Sequence, residues 1–229
     1  MVGRFIRDAH AIVDGLLQTY EIILVDDGST DATGQIMDDL ARELPRISVL
    51  HNRPNMGLGA SYRRGVRAAK FDYVMMLCGD GGLPASSLPL VIEKIGSADI
   101  VIPYMTNLRS IKTPLRYFIS RAYTRLLNVL SGHTLNYYNG LPVHRRALLS
   151  DAVMTSSGFG FQGEILVKLL KSGCSFVQVG ILGSEATHKS SIFRLRNIAS
   201  VTRTVSKLVR LVVVLSLYPV GKRPEPPTS

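Results

Sequence analysis

Short apolar runs alternate with helical patterns along the N-terminal part of the chain. Residues 21–25 (Glu-Ile-Ile-Leu-Val) and 72–77 (Asp-Tyr-Val-Met-Met-Leu) each end abruptly at a polar loop, and 47–51 is a further run of this kind. Helices are predicted over 32–44 and 60–69, between these runs. The βαβαβ order predicts an α/β fold with a mostly parallel central sheet and helices on both faces.

The polar loops that follow two of these runs are candidate binding sites. Residues 26–29 (Asp-Asp-Gly-Ser) follow the first run, and residues 78–82 (Cys-Gly-Asp-Gly-Gly) follow the run over 72–77. Ligands of parallel α/β sheets bind beyond the carboxyl ends of the strands. Carboxylates placed there can accept hydrogen bonds from a base or a ribose, although Asp, Gly and Ser are also common turn formers.

The remaining pattern predicts one domain followed by a segment of a different kind. The domain is expected over 1–188, a basic amphipathic segment over 189–218 and a disordered tail over 219–229, since the tail is rich in Pro and charge. The other elements predicted within the domain are helices over 4–18, 84–94, 114–130 and 161–171 and strands over 99–103 and 175–181.

The charge balance bears on the partners of the protein. Lys and Arg outnumber Asp and Glu 27 to 17 among 229 residues, which favours nucleic acid, an anionic membrane face or phosphorylated substrates. In 189–217, basic residues alternate with Leu, Val and Ile at near-helical spacing, as in interfacial helices. Few aromatic residues accompany them, which argues against RNA. We therefore expect no nucleic acid and a cytoplasmic protein held peripherally on an anionic membrane surface, with packing of this helix on the core or a second subunit as the alternative.

Four strings in the chain resemble motifs of one enzyme family. They are 25–33 (Val-Asp-Asp-Gly-Ser-Thr-Asp-Ala-Thr), 55–59 (Asn-Met-Gly-Leu-Gly), 75–84 around Asp80, and 157–164 around Gly158. In this order they are similar to glycosyltransferase family 2, and within it to the dolichol-phosphate mannose synthase-like, polyprenyl-phosphate branch. The resemblance implies a GT-A nucleotide-diphospho-sugar transferase fold, here apparently without the first strand.

The resemblance assigns a donor site for a UDP- or GDP-sugar. Asp80 is implied as catalytic and as the ligand of a divalent cation, Mg²⁺ or Mn²⁺. Cys78 and Gly82 stand where the branch has further cation ligands, and a thiol is a poor ligand for hard Mg²⁺. Substrate phosphates and waters can complete the shell of such an ion. The residues implied in donor binding are Asp26, Asp27, Ser29, Gly57 and Gly79.

The resemblance also assigns an acceptor site for a polyprenyl phosphate. Arg116 and Ser120 lie four residues apart, on one helical face, and match the pair that binds the lipid phosphate. Lys189 and Ser190 match a loop that closes over the phosphates. Glu164 is a catalytic candidate, as general base for a saccharide acceptor. A lipid phosphate needs no base. If it is the acceptor, Glu164 is expected to hold a loop in place or to bind a sugar hydroxyl.

Three interpretations therefore remain open from the sequence. The first is sugar transfer to a polyprenyl phosphate, and the second is sugar transfer to a saccharide. The third is a non-catalytic, membrane-associated relative. Four features favour it: the missing strand, Cys78, Gly82, and Asn136 in place of an acidic residue. The sequence also leaves a homo-oligomer open.

Overall fold

The computed structural model describes residues 2–79, 83–158, 160–183, 201–210 and 212. Most predicted elements are present, and the predicted helix over 84–94 is divided into a 3-10 turn at Ala85–Ser87 and a short helix. The helices are α1 Val2–Leu16, α2 Thr33–Glu43, α3 Leu58–Ala68, α4 Leu88–Ile92, α5 Leu108–Ile111, α6 Pro114–Ser131 and α7 Phe161–Lys171, and the strands are β1 Ile22–Asp26, β2 Ile47–His51, β3 Tyr73–Met75, β4 Ile100–Met105, β5 Val143–Arg145 and β6 Phe176–Ile181.

The strands form two sheets, the parallel pair β1–β2 and a four-stranded mixed sheet of order β3–β5–β4–β6. β1 pairs with β2 in parallel, and this register places Asp26 opposite His51 at the carboxyl ends of both strands. β4 and β6 are also parallel. β5, which the sequence pattern did not reveal, pairs antiparallel with both β3 and β4. A strand of three residues is too short to show an alternation, and for this reason the antiparallel pairing of β3 was not expected.

The core lies between these strands and the flanking helices. Ile6 of α1, Leu24, Leu40 and Ile47 form one cluster that covers β1 and β2. The largest cluster joins β4 to α6 and α7. Most of α7 is buried, including the polar Gln162 and Glu164, because protein rather than water surrounds this helix.

The described part of the predicted amphipathic segment contacts the core. Residues 201–210 are helical, with Thr204 and Leu208 buried one turn apart, while Arg203, Lys207 and Arg210 are exposed. Leu208 belongs to the largest cluster. One face of this helix therefore packs on the domain, as in the alternative arrangement, and its basic residues point outward. Over the ranges described above, none of the helices has both the length and the apolar character that crossing a bilayer requires.

Candidate functional site

Asp27 organises the loop between β2 and α3. Its Oδ1 accepts hydrogen bonds from the Asn52 side-chain amide (2.9 Å) and the Met56 backbone N–H (2.8 Å), and its Oδ2 accepts one from the Gly57 N–H (2.9 Å). Gly57 precedes the first turn of α3, so the carboxylate lies at the positive end of a helix. Burial alone would raise the pKa of Asp27, but these hydrogen bonds lower it overall.

Asp26 ends β1 and is buried, with a residue exposure of 1%. Its Oδ1 accepts the Ser29 N–H (2.9 Å), which closes the turn at the start of the loop. Its Oδ2 lies 3.0 Å from His51 Nδ1 and 3.2 Å from an Arg53 guanidinium nitrogen. Burial raises the pKa of this carboxyl, but the contacts with Ser29, His51 and Arg53 together hold it far below its usual range. Asp26 is therefore an ionised, buried group.

The start of α3 is in close contact with the loop over 155–158. The Gly59 N–H donates to the Ser157 carbonyl at 2.8 Å. A Cβ at Gly59 would lie 2.4 Å from the Ser156 carbonyl oxygen, and one at Gly57 would lie 2.8 Å from that of Ser157. Gly57 also has a φ of 90°, a backbone conformation that residues with a side chain rarely adopt. These glycines allow the backbones of two predicted motifs to touch.

Glu164 holds the other side of the same loop. It is 2% exposed, and it accepts hydrogen bonds from the Thr155 hydroxyl, the Ser156 N–H (2.8 Å) and Lys168 Nζ (2.7 Å). Burial raises the pKa of Glu164, but Lys168 and the hydroxyl and amide donors lower it overall. Ser156 also contacts Thr204, with 3.1 Å between the hydroxyl oxygens. The geometry gives Glu164 a role in holding the loop.

A basic cluster lies at the start of α6. Lys112 Nζ donates to Ser120 Oγ (3.2 Å) and to the Tyr137 hydroxyl (3.1 Å) and stands 5.0 Å from the centre of the Tyr137 ring. Arg116 is half-buried one turn before Ser120. Lys112 was not predicted as a site residue, although its position four residues before Arg116 could have indicated that the two cations lie close together. Lys112, Arg116 and Ser120 form what we call the α6 basic cluster.

Several predicted site residues fall outside the described part of the chain. These are Asp80, Gly82, Lys189 and Ser190. Gly79 is described, and it lies against the N-terminus of α1, where an added Cβ would be 3.4 Å from Val2 Cγ2. The residues that the structure describes contain no group of three metal-ligating side chains. The predicted cation ligand, Asp80, thus lies outside the residues to which this finding applies.

Comparison with known proteins identifies the family. The sequence model of "Glycosyl transferase family 2" matches residues 3–154. An undecaprenyl-phosphate mannosyltransferase from Micrococcus luteus is 30% identical over 172 residues, which are 70% of this chain and 70% of that protein.

Solved structures show the same fold. Mannosyl-3-phosphoglycerate synthase from Rubrobacter xylanophilus has a TM-score of 0.67 at 16% identity, covering 99% of this chain and 74% of its own. A mannosyltransferase from Pyrobaculum calidifontis, in complex with GDP-Man and Mn²⁺, has a TM-score of 0.58 at 17% identity, covering 83% and 55%. This likeness confirms the predicted GT-A fold, and the match over 3–154 confirms the resemblance seen in the motifs. The chain belongs to glycosyltransferase family 2.

Proposed function

We propose that this glycosyltransferase moves a sugar from a nucleotide-sugar to a polyprenyl phosphate at the cytoplasmic face of a membrane. The observation that carries the proposal is that α6 combines the α6 basic cluster with a stripe of exposed apolar side chains, which we call the apolar stripe: Leu115, Phe118, Ile119, Leu126 and Val129. An acceptor with a phosphate head and a hydrocarbon tail needs both. The Micrococcus luteus relative, named for transfer to undecaprenyl phosphate, supports the same acceptor class.

On the donor side, we assign different roles to the two adjacent aspartates. Asp27 accepts hydrogen bonds from three groups of the β2–α3 loop and interacts with the Ser61 hydroxyl, but it is only partly buried. Water therefore reaches this carboxylate, and we assign it the contact with a ribose hydroxyl or a base N–H, for which it is an acceptor. Asp26 is buried and bonded on both oxygens, so its contribution to donor binding is to shape the turn at Ser29.

The proposed reaction needs no general base. An oxygen of the lipid phosphate, already anionic, attacks the anomeric carbon, and the bond from that carbon to the donor diphosphate breaks with its electron pair. The α6 basic cluster would orient the attacking phosphate. A divalent cation would neutralise charge on the departing nucleoside diphosphate, and Asp80 is the side chain that we propose holds it. Glu164 is then a positioning residue.

The apolar stripe supports attachment to a membrane surface. At 3.6 residues per turn its positions fall within about 100° of the helix circumference. Arg121 and the exposed Arg125 border it on the side away from the α6 basic cluster. The stripe consists of Leu115 (66% exposed), Phe118 (70%), Ile119 (50%), Leu126 (39%) and Val129 (78%), with the exposed Ala122 between them.

This arrangement suits the interface of an anionic leaflet. Apolar side chains that enter the acyl region gain free energy by leaving water, and nearby arginines are attracted to the lipid headgroups. With Arg116 and Ser120 on the neighbouring face of the same helix, the phosphate of an embedded polyprenol would lie beside the α6 basic cluster. We therefore place the membrane contact on α6 in addition to the outward basic residues of the 201–210 helix.

Removing apolar side chains from the stripe is expected to release the protein from membranes. The double variant Phe118→Ser, Val129→Ser should bind vesicles of phosphatidylglycerol and phosphatidylcholine at least about tenfold more weakly in co-sedimentation. Leu90 on α4 is 49% exposed, and Leu90→Ser should bind as the wild type does. Equal binding of all three proteins would contradict the membrane contact at α6.

The acceptor class is tested by loss of one cation from the α6 basic cluster. Arg116→Ala should lower kcat/KM for transfer to undecaprenyl phosphate by about thirtyfold, because a charge-assisted hydrogen bond to the phosphate is lost. The affinity for UDP or GDP should stay unchanged, and Arg42→Ala, at an exposed position of α2, should retain full activity. Transfer to a saccharide that is insensitive to Arg116→Ala would instead favour the saccharide acceptor.

A further inference from the structure

His51 connects two acidic residues from different elements. The residue ends β2, where the parallel register sets it opposite Asp26 of β1. Its Nδ1 lies 3.0 Å from Asp26 Oδ2, and its Nε2 lies 3.0 Å from Asp38 Oδ1 on α2. Both ring nitrogens thus face carboxylate oxygens at hydrogen-bond distance.

Both contacts can exist only when the ring carries a positive charge. A neutral imidazole has one N–H, so its other nitrogen is an acceptor and repels a carboxylate oxygen. The Asp26 side chain is fully buried, whereas the Asp38 side chain is 43% exposed. When the ring loses a proton, the contact with Asp38 is the one that can separate, because water can replace it there.

The charged groups around the ring favour the protonated form. Besides Asp26 and Asp38, Arg53 contacts the Asp26 carboxylate at 3.2 Å, and Arg64 of α3 donates to the His51 backbone carbonyl. The hydrogen bonds to Asp26 and then Asp38 raise the pKa of His51 above its ordinary 6.5. The two carboxylates outweigh the guanidinium groups because only they contact the ring directly.

We propose that His51, as an imidazolium, is a positioning residue that fastens both ends of the donor loop over 27–32. Asp26 immediately precedes this loop, and Asp38 lies on the helix that immediately follows it. The loop carries Asp27 and Ser29, so the inference rests on the proposed donor site. We call the two contacts of His51 with Asp26 and Asp38 the clamp. The clamp is complete below about pH 6.5 and is lost as the pH rises through the pKa of His51 in the folded protein, which is higher.

The clamp can be measured with and without a nucleotide. Amide hydrogen exchange of residues 27–32 is compared between the wild type and His51→Gln from pH 6 to pH 9, because the ratio at each pH cancels the intrinsic pH dependence of exchange. The protection of the wild type relative to His51→Gln should fall about tenfold over this range. In Asp38→Asn, which keeps an acceptor oxygen but loses the charge, the midpoint of the fall should move to lower pH.

Titration with UDP and GDP over the same range then links the clamp to the donor. The affinity of the wild type should weaken with the same midpoint, and that of His51→Gln should not depend on this ionisation. A constant ratio of loop exchange, or an unchanged midpoint in Asp38→Asn, would overturn the clamp. If exchange follows the prediction while no nucleotide binds, the clamp stands and the proposed donor site fails.

Discussion

Replacing Asp27 with alanine is expected to weaken nucleotide binding by more than about a hundredfold. The carboxylate accepts from the Asn52 side chain and from two successive N–H groups at the start of α3. Without it, these donors lose their acceptor and the loop that should face the nucleotide loses its anchor. The negative charge at the helix N-terminus is lost as well. Isothermal titration with UDP and GDP, with and without Mg²⁺, measures the effect.

Asp31→Asn is the matched control for Asp27→Ala. Asp31 belongs to the same motif but is exposed, and the contact described for it is with the backbone N–H of Thr33 at 3.0 Å. Its replacement should change the affinity less than about threefold. A folded Asp27→Ala protein with the affinity of the wild type would contradict the role given to Asp27. A wild type that binds neither nucleotide at millimolar concentration would overturn the donor site altogether.

The sequence predicted most helices and strands because the apolar patterns that indicate them are local. The apolar run over 47–51 became β2 without any change of bounds, and the helix over 161–171 became α7. An apolar pattern of sufficient length fixes such elements before any tertiary contact is known. β5 has three residues and pairs with strands far away in the chain, so its presence depends on tertiary structure and the pattern over 143–145 did not show it.

The candidate site was predictable in its composition but not in its division of roles. The motifs placed Asp26 and Asp27 together at the end of a strand, and the structure confirms that position. Their separate functions depend on partners 25 to 30 residues away, such as His51 and Gly57. No local pattern shows that Asp26 faces inward. The exposed stripe on α6 was likewise hidden, because its spacing equals that of a helix buried on one face.

Glu164→Ala is expected to lower the free energy of unfolding by about 3 to 5 kcal/mol. The carboxylate is 2% exposed and forms an ion pair with Lys168 Nζ, whose side chain is 18% exposed. Removing one partner leaves a largely buried charge without its counter-ion, which is the costly way to break such a pair. The Ser156 N–H and the Thr155 hydroxyl lose their acceptor as well. Urea denaturation measures the change.

Two further variants, one in an exposed ion pair and one that neutralises Glu164, distinguish a role of Glu164 in folding from a role in catalysis. Asp151 pairs with Arg67 at 2.7 Å, but both side chains are more than half exposed, so Asp151→Ala should cost less than about 1 kcal/mol. Equal losses for Glu164→Ala and Asp151→Ala would contradict the structural role. Glu164→Gln keeps the shape and one acceptor oxygen, so a folded protein should retain transfer to undecaprenyl phosphate. If instead it folds with full stability and is inactive, Glu164 acts as a base, and the acceptor is a sugar hydroxyl rather than a lipid phosphate.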